Sequence, residues 1–311
     1  MQTVKKSVKF SGVGIHSGLP VTMVVKPSKK RGIFFRRVDL GSGLIPAKFD
    51  NVGDTKMRNT TIGDMNGAHV KTIEHFMAAM FMAGIDSAIV EIDGPETPIL
   101  DGSAIEFFKS LSTAAASGGK LKRIIVRRPV YVGAYEVYRS LPFLLRMKIK
   151  FMNFLSGRKI DGFVKLTPSD ENELSVYATL IYREKIIGCQ TYSYKYNGTK
   201  KSVNDFVKNV ARARTFGKYS EWEYLKKHGM GRGANENNVI ALNNNGDGTL
   251  NKTFWPDEFV RHKIIDAIGD MFTSGGFIVG NLESYKGSHA MNNMILKKLF
   301  SNPDNYDIID A

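Results

Sequence analysis

Apolar and polar residues alternate in the first third of the chain, and this alternation predicts short strands joined by tight turns. It is clearest over residues 4–10, 21–26 and 33–37. The apolar spacing changes to three and four residues over 70–81, which predicts a helix, and residues 87–92 return to the spacing of a strand. The first part of the chain is therefore predicted to mix both kinds of element.

A second helix is predicted over residues 103–116, because the serine at its start and Glu106 have the spacing of a capping box. The serine and glycine run at 117–120 follows it and is the predicted linker. This linker separates two predicted domains, residues 1–118 and 121–311.

The second domain repeats the mixture without repeating the sequence. Its predicted elements are a basic strand run over 121–132, a strand over 173–183, a helix capped by Ser202 and running to Arg214, a short strand over 238–242, a helix capped by Asp257 and running to about Ser274, and a last helix after His289. Strands and helices do not alternate regularly in either half, so the pattern favours the α+β class.

Residues 140–165 interleave large apolar side chains with arginine and lysine. One interpretation is an element that lies on an anionic membrane surface. The other is a basic-edged strand or helix that packs on the second domain. The pattern alone leaves both open.

Composition narrows the class of protein. The chain has 311 residues, 42% of them hydrophobic, and enough aromatic side chains to fill a core, which excludes intrinsic disorder. Its net charge of +14 favours a partner with phosphate: nucleic acid, nucleotide or anionic lipid. The single cysteine, Cys189, excludes a disulfide framework and a multi-cysteine zinc site. With no signal peptide and no apolar run of spanning length, a cytoplasmic protein is expected.

Candidate chemistry is clearest between residues 262 and 270. On a helix, His262, Asp266 and Asp270 share one face, with Lys263 near its border, and a histidine and a carboxylate four residues apart are able to chelate one cation. The alternative is an ordinary amphipathic helix whose solvated face contains these residues.

Glu74 and His75 form a polar pair in apolar surroundings, where a polar pair needs a partner or a role. His75 as a further metal ligand would leave a position open for water, and Glu74 beside it would serve as general base. The alternative is a core histidine bonded to a carbonyl.

His289 lies at a helix start, where it is either a protonated histidine beside a carboxylate or a capping residue.

Seven stretches follow one another in the order found in one enzyme family: residues 11–18, 35–40, 72–75, 93–104, 211–217, 257–270 and 289–293. Through them the chain resembles the UDP-3-O-acyl-N-acetylglucosamine deacetylases, the zinc amidases of early lipid A synthesis in Gram-negative bacteria. The resemblance covers almost the whole chain, and the Arg-His-Lys run at 261–263 is its most specific part.

The resemblance implies two similar two-layer α+β domains that pack with their helices facing each other around the active site. It implies hydrolysis of the N-acetyl amide of UDP-3-O-acyl-N-acetylglucosamine, the committed step of lipid A and lipopolysaccharide synthesis, with release of acetate. The implied roles are zinc ligation by His75, His262 and Asp266, general base for Glu74, acid or electrostatic partner for His289 with Asp270, oxyanion binding for Thr215, substrate contact for Lys263, and a border of the acyl and nucleotide sites for Phe216 and residues 190–196.

The chain departs from the family pattern in three places. Residues 286–289 read Lys-Gly-Ser-His where Lys-Ser-Gly-His is usual, residues 233–238 replace a Gly-Gly-Ser-x-Asp-Asn pattern, and residues 140–165 are longer and more basic than expected. The competing class, suggested by charge alone, is a nucleic-acid-binding α+β protein. We expect instead a monomer with a nucleotide-sugar lipid substrate and no nucleic acid partner, and peripheral contact with the inner membrane stays one of the two open interpretations of residues 140–165.

Overall fold

A computed structural model describes residues 1–54, 59–116, 121–156 and 159–310. Its α-helices are α1 (Glu74–Met82), α2 (Ile105–Ala114), α3 (Ala134–Ser140), α4 (Phe143–Ser156), α5 (Lys200–Asn209), α6 (Tyr219–Lys227), α7 (Glu258–Phe272) and α8 (His289–Phe300). Its strands are β1 (Val8–Val13), β2 (Pro20–Pro27), β3 (Gly32–Arg37), β4 (Ile45–Pro46), β5 (Val52–Asp54), β6 (Thr61–Gly63), β7 (His69–Val70), β8 (Ser87–Ile92), β9 (Arg123–Val126), β10 (Val130–Gly133), β11 (Phe163–Thr167), β12 (Leu174–Ile181), β13 (Cys189–Tyr196), β14 (Phe216–Lys218), β15 (Ile240–Leu242), β16 (Phe277–Tyr285) and β17 (Tyr306–Ile309).

The first large sheet has the strand order β1-β2-β8-β3-β4, and within it only β3 and β8 run parallel. Alternate residues of its strands are buried, as the sequence spacing predicts. Helices α1 and α2 cover the buried face. Phe76 of α1 contacts Phe35 of β3 and Phe107 of α2, with ring centroids 5.7 and 5.6 Å apart.

The second large sheet has the order β10-β11-β16-β12-β13, and β9 joins β16 to β17. Helix α7 packs on β12, β13 and β16, and α8 packs on β10 and β11. Both sheets therefore carry helices on one face, which confirms the predicted α+β class.

Helix α1 lies between the two sheets and packs against α7. All nine of its residues are buried, and after Glu74 and His75 its sequence is apolar all round rather than on one stripe. The two helices approach closely at Gly269 of α7, where a Cβ atom would overlap the Glu74 carbonyl oxygen. This contact brings the polar residues at the start of α1 against the middle of α7. The predicted domain boundaries stay a prediction.

The predicted caps are wrong in their chemistry, although the helices exist. Helix α2 begins at Ile105, its N-cap Ala104 has no side-chain hydrogen bond, and the Ser103 hydroxyl instead donates to Asp101 at 2.8 Å. Glu106 pairs with Lys109 on the surface rather than with the backbone. The Ser103 hydroxyl also accepts the Ile105 N–H, at 3.2 Å, but Glu106 does not bond back to the backbone, so the reciprocal pair of a capping box does not form.

Two further corrections concern the second half. Helix α5 begins at Lys200, because the side chain of Thr199 accepts the Ser202 N–H and so caps the helix in place of Ser202. The helix ends at Asn209 and not at Arg214. At Asp257 the helix begins as predicted, but the carboxylate binds Arg261 at 2.7 Å rather than the backbone.

The strand expected over 121–132 is two strands, β9 and β10, which pair with different partners. Pro129 lies between them and has no N–H to donate. Residues 117–120, the predicted linker, lie outside the described residues.

Residues 140–165 contain α4 and the start of β11, and they follow α3 directly. Together α3 and α4 form a helical insertion between the paired strands β10 and β11. Among the described helices, none combines the length and the apolar character needed to cross a bilayer.

Candidate active site

Three buried side chains from α1 and α7 converge between the two sheets. One nitrogen each from His75 and His262 and one oxygen of Asp266 all lie within 4.8 Å of one another. Nε2 of each histidine is 3.5 Å from Oδ1 of Asp266. The alternative of an ordinary solvated face on α7 is therefore wrong, because this face is covered by α1.

His262 is held in one orientation. Its Nδ1 lies 3.0 Å from the Ala213 carbonyl oxygen, so this nitrogen carries the proton and Nε2 keeps a lone pair directed at the cluster. Burial lowers the pKa of His262 to about 3, although Asp266 attracts the charged form. The ring is consequently neutral, which is the state that ligates a metal ion.

Glu74 is the first residue of α1 and lies beside the cluster. Its Oε2 accepts a hydrogen bond from the Thr60 N–H at 3.0 Å, and its Oε1 is 3.9 Å from Nε2 of His289. Burial raises the pKa of Glu74 to about 6, against the attraction of His289 and His75. Such a carboxylate is able to accept a proton near neutral pH.

The segment before α1 is held in a strained conformation. Thr72 has a φ of 58°, in the left-handed region that threonine rarely occupies. Its hydroxyl donates to Glu96 at 2.8 Å, and Glu96 also accepts the backbone N–H groups of His16 and Ser17. Glu96 therefore joins three separate segments and fixes the point at which α1 begins.

His289 begins α8 and extends into the same site. Its Nδ1 donates to Oδ2 of Asp270 at 2.7 Å, and its Nε2 lies 3.9 Å from both Glu74 and Asp266. Burial opposes a charged ring, but Asp270 and Glu74 outweigh it and raise the pKa of His289 to about 9. Ser288, not His289, caps the helix, so the capping alternative for His289 is wrong.

Two residues of this network were not predicted from the sequence. The Thr60 hydroxyl donates to Oδ1 of Asp270 at 2.6 Å, and the Asn292 side-chain amide donates to Oδ2 at 2.9 Å. Asn292 was within a recognised stretch, at one helical turn from His289. Thr60 has no such signal, because its loop is brought to the site only by the fold.

Lys263 lies at the border of the cluster, as its position on α7 predicts. Its Nζ donates to Oδ2 of Asp266 at 2.7 Å, so the two oxygens of Asp266 have different partners. Burial would raise the pKa of Asp266, but Lys263 and His262 hold it well below its usual value. Asp266 is therefore anionic, as a metal ligand must be.

The segment that carries Thr215 and Phe216 is fixed to the start of α7. The buried Arg214 guanidinium and its own N–H both donate to Oε1 of Glu258 at 3.0 Å. Phe216 then stacks edge-on against His262, with ring centroids 6.3 Å apart, and lies beneath the Lys263 ammonium. Thr215 is half-buried between Ala213 and Phe216, and its role stays a prediction.

Residues 190–196 form most of β13 and lie against the start of α7. The side chain of Gln190 bonds to the backbone of Pro256 and Val260, and the Tyr192 hydroxyl accepts from Arg261 at 3.2 Å. The predicted border of the acyl and nucleotide sites here remains a prediction.

A cleft opens beside the cluster. Lys263, Asp266, His289 and Asn292 line it on the helix side, and Thr179 and Ser284 line it on the sheet side.

The departures at 286–289 and 233–238 have structural explanations. Gly287 packs against Ser284, where an added Cβ atom would displace the Ser284 hydroxyl, and Ser288 accepts the Met291 N–H at the start of α8. In the second segment, the Asn238 side chain accepts the Asn235 N–H and donates to the Gly233 carbonyl, so hydrogen bonds within the segment stabilise its turn.

The donor set fits a zinc ion. Two neutral imidazoles and one carboxylate, all buried and facing one another, are the three protein ligands typical of catalytic zinc sites. The Ala213 carbonyl and the Lys263 ammonium supply the outer partners that orient such ligands. Such a ligand set with an adjacent glutamate is typical of the class of metal-dependent hydrolases.

Comparison with known proteins identifies the family. The family model described as UDP-3-O-acyl N-acetylglycosamine deacetylase matches residues 1–301. A UDP-3-O-acyl-N-acetylglucosamine deacetylase of Nitratiruptor sp. is 36% identical over 315 residues, which cover 100% of this chain and 93% of that protein. Proteins of the same name from Citrifermentans bemidjiense and Myxococcus xanthus are each 33% identical, over 99% and 100% of this chain and 92% and 89% of their own length.

The chain therefore belongs to the UDP-3-O-acyl-N-acetylglucosamine deacetylase family. As a member of it, the protein is a hydrolase that acts on an amide. This confirms the family resemblance drawn from the sequence.

Proposed function

We propose that the protein hydrolyses the N-acetyl amide of UDP-3-O-acyl-N-acetylglucosamine, with zinc held by His75, His262 and Asp266. The observation that supports this most strongly is the convergence of these three buried donors within 4.8 Å, with Glu74 and His289 beside them. When bound, zinc would lower the pKa of water and polarise the amide carbonyl. The other tasks belong to the side chains of the chain itself.

Glu74 is the general base in this proposal. Amide hydrolysis requires that the attacking water lose a proton, and a carboxylate with a pKa of about 6 is ionised at neutral pH and able to accept it. The Thr60 N–H holds Oε2, which leaves Oε1 directed toward His289 and the cluster.

His289 is the acid or electrostatic partner. With a pKa of about 9, it is protonated at neutral pH, and Asp270 holds its Nδ1–H so that Nε2–H faces the site. Its charge stabilises the negative charge that develops on the carbonyl oxygen, and its proton is available for the departing amine of the glucosamine.

The remaining roles concern substrate position. Thr215 would donate a hydrogen bond to the developing oxyanion, and Lys263 with Phe216 would contact the substrate beside the cleft. The substrate carries a diphosphate, which suits the net charge of +14. The cytoplasmic location and the monomeric state expected from the sequence remain predictions.

Incubation with UDP-3-O-acyl-N-acetylglucosamine, followed by detection of free acetate, tests the proposal. We expect acetate release that a chelator abolishes and added zinc restores, and no release by H75A or D266A. Exposed Lys201→Ala is the matched control and should retain activity. Acetate release that is equal with and without chelator, or equal in H75A and the native protein, would reject the zinc mechanism.

A further inference from the structure

The helical insertion α3–α4 presents a surface that the catalytic site does not use. Four large apolar side chains on α4 stand in solvent: Phe143 is 65% exposed, Leu144 80%, Met147 51% and Phe151 63%. On a helix of 3.6 residues per turn they fall within about 100° of arc, so they form one continuous stripe. A stripe of this kind on a charged surface marks an interaction site.

Basic side chains border this stripe on both sides. Helical spacing puts Arg146 and Lys150 along one edge and Lys148 along the other. The Arg146 guanidinium lies 5.9 Å from the Phe143 ring centroid, at the end of the stripe. Long basic side chains beside an apolar face are able to extend to phosphate while their stems remain in apolar surroundings.

The charge of the segment is of one sign. Residues 137–160 contain no aspartate or glutamate and six basic residues, namely Arg139, Arg146, Lys148, Lys150, Arg158 and Lys159. A protein partner would need an acidic groove to match this charge. An anionic bilayer supplies both partners at once, since its headgroup phosphates would face the basic side chains and its acyl chains would face the apolar stripe. A second copy of the chain is disfavoured, because two such surfaces repel each other.

We propose that α4 docks in the interface of an anionic lipid bilayer, with its apolar stripe among the acyl chains and Lys148 and Lys150 at the headgroups. The stripe formed by Phe143, Leu144, Met147 and Phe151 is the membrane-docking surface. With no spanning helix among the described residues, this contact is peripheral.

Hydrogen bonds and an ion pair fix the insertion to the second sheet and to α8, so docking of α4 would anchor the whole molecule. The Ala134 N–H donates to the Gly162 carbonyl at 2.9 Å and closes the base of the insertion. Lys298 of α8 donates to Glu136 at 3.1 Å and to the Tyr131 carbonyl at 2.8 Å, and the Tyr138 hydroxyl donates to the Arg146 carbonyl at 3.1 Å.

The base of the insertion also adjoins the active site. Asp161, next to Gly162, forms an ion pair with Lys286, which lies three residues before His289. This ion pair therefore links the docked insertion to the segment that leads to His289. The benefit for an acylated substrate rests on the proposed function, whereas the docking itself does not.

Vesicle flotation of the purified full chain tests the proposal without any substrate. We expect the protein to float with phosphatidylglycerol–phosphatidylcholine vesicles, to float less at high salt, and to stay at the bottom with phosphatidylcholine alone. Lys148→Glu with Lys150→Glu should weaken binding by roughly thirtyfold or more, since each basic residue contributes about a factor of five at an anionic surface.

The matched control is Lys200→Glu with Lys201→Glu, which makes the same charge change at exposed positions of α5. This control should lose no more than about twofold, in keeping with a site on α4 rather than an effect of net charge. L144S with M147S and F151S should also abolish flotation, and circular dichroism checks that each variant folds.

Three results would overturn the proposal. They are failure of the native protein to float with the anionic vesicles, equal loss in the α4 and α5 charge variants, and undiminished flotation of the triple serine variant. Because none of these measurements requires zinc or substrate, they fail or succeed independently of the deacetylase activity.

Discussion

At the residue scale, the site separates the protonation states of two neighbouring groups. Glu74 and His289 are 3.9 Å apart, yet burial and the surrounding charges leave the first ionised and the second protonated at neutral pH. The sequence predicted both residues, because each belongs to a recognised stretch. It did not predict Thr60, which bonds to Glu74 and Asp270, since nothing near position 60 indicates that its loop reaches the site.

Replacement of Glu74 by glutamine tests its role as general base. E74Q keeps the size of the side chain and removes its ability to accept a proton, so we expect kcat to fall by about 10²–10⁴-fold. Zinc content and melting temperature should stay close to native values, because Glu74 is not among the three proposed ligands. Retention of more than about a tenth of native kcat would contradict this role.

The pH dependence of activity follows from the same two groups. Activity requires ionised Glu74 and protonated His289, so it should fall as pH drops through about 6 and as pH rises through about 9. A bound cation favours ionised Glu74 and disfavours protonated His289, so it lowers the pKa of each group. The acid and alkaline limbs of the pH–activity profile both move toward lower pH as a result.

The diagnostic variant for the alkaline limb is H289N. Its kcat/KM profile should lose that limb and keep the acid limb, measured as acetate release across the pH range. An unchanged alkaline limb in H289N would assign it to another group.

At the element scale, the approach of α1 to α7 decides whether the site forms. The sequence predicted both helices from their apolar spacing, but neither their crossing nor its closest point at Gly269. It also predicted the wrong caps, since local spacing does not reveal that Ser103 has Asp101 as a nearer partner. Helix identity is a local property, whereas cap chemistry and helix crossings depend on the tertiary structure.

Replacement of Gly269 by alanine tests the crossing. The added Cβ atom would overlap the Glu74 carbonyl and force the helices apart, at a cost of about 1–3 kcal/mol in the free energy of unfolding. Zinc affinity should fall as well, because His75 and Asp266 lie on different helices. G43A is the control, since a Cβ atom at Gly43 meets open space. Native zinc affinity in G269A would show that the crossing does not set the site.

Glu96 is expected to hold the start of α1 in place. In E96A, the His16 and Ser17 N–H groups and the Thr72 hydroxyl lose their acceptor, which should lower the free energy of unfolding by about 3 kcal/mol. Denaturant unfolding measures this loss, and surface E106A serves as a control with almost no effect. A loss below about 0.5 kcal/mol in E96A would contradict the account.

At the scale of the whole molecule, the three proposed ligands belong to parts of the chain nearly 190 positions apart. The sequence indicated their identity through the family stretches, and the fold class through its irregular order of strands and helices. The insertion α3–α4 had two open interpretations, because an amphipathic pattern does not reveal which face its own core covers. The exposure of its apolar residues, together with the single sign of its charge, is what supports the proposed docking on a membrane surface.

Metal removal should loosen the contact between the two halves. A ligand at a hundred times its dissociation constant stabilises the folded state by about 2.7 kcal/mol, so a chelator should lower the melting temperature of the native protein. The same chelator should leave the melting temperature of H262A unchanged, as that variant lacks a ligand. An equal shift in both proteins would mean that the metal binds elsewhere.

The most direct test of the central claim is anomalous diffraction from crystals of the zinc-loaded protein, collected on both sides of the zinc absorption edge. We predict one strong peak within bonding distance of His75, His262 and Asp266. A map with no peak there, or with its strongest peak bound to other residues, would contradict the account.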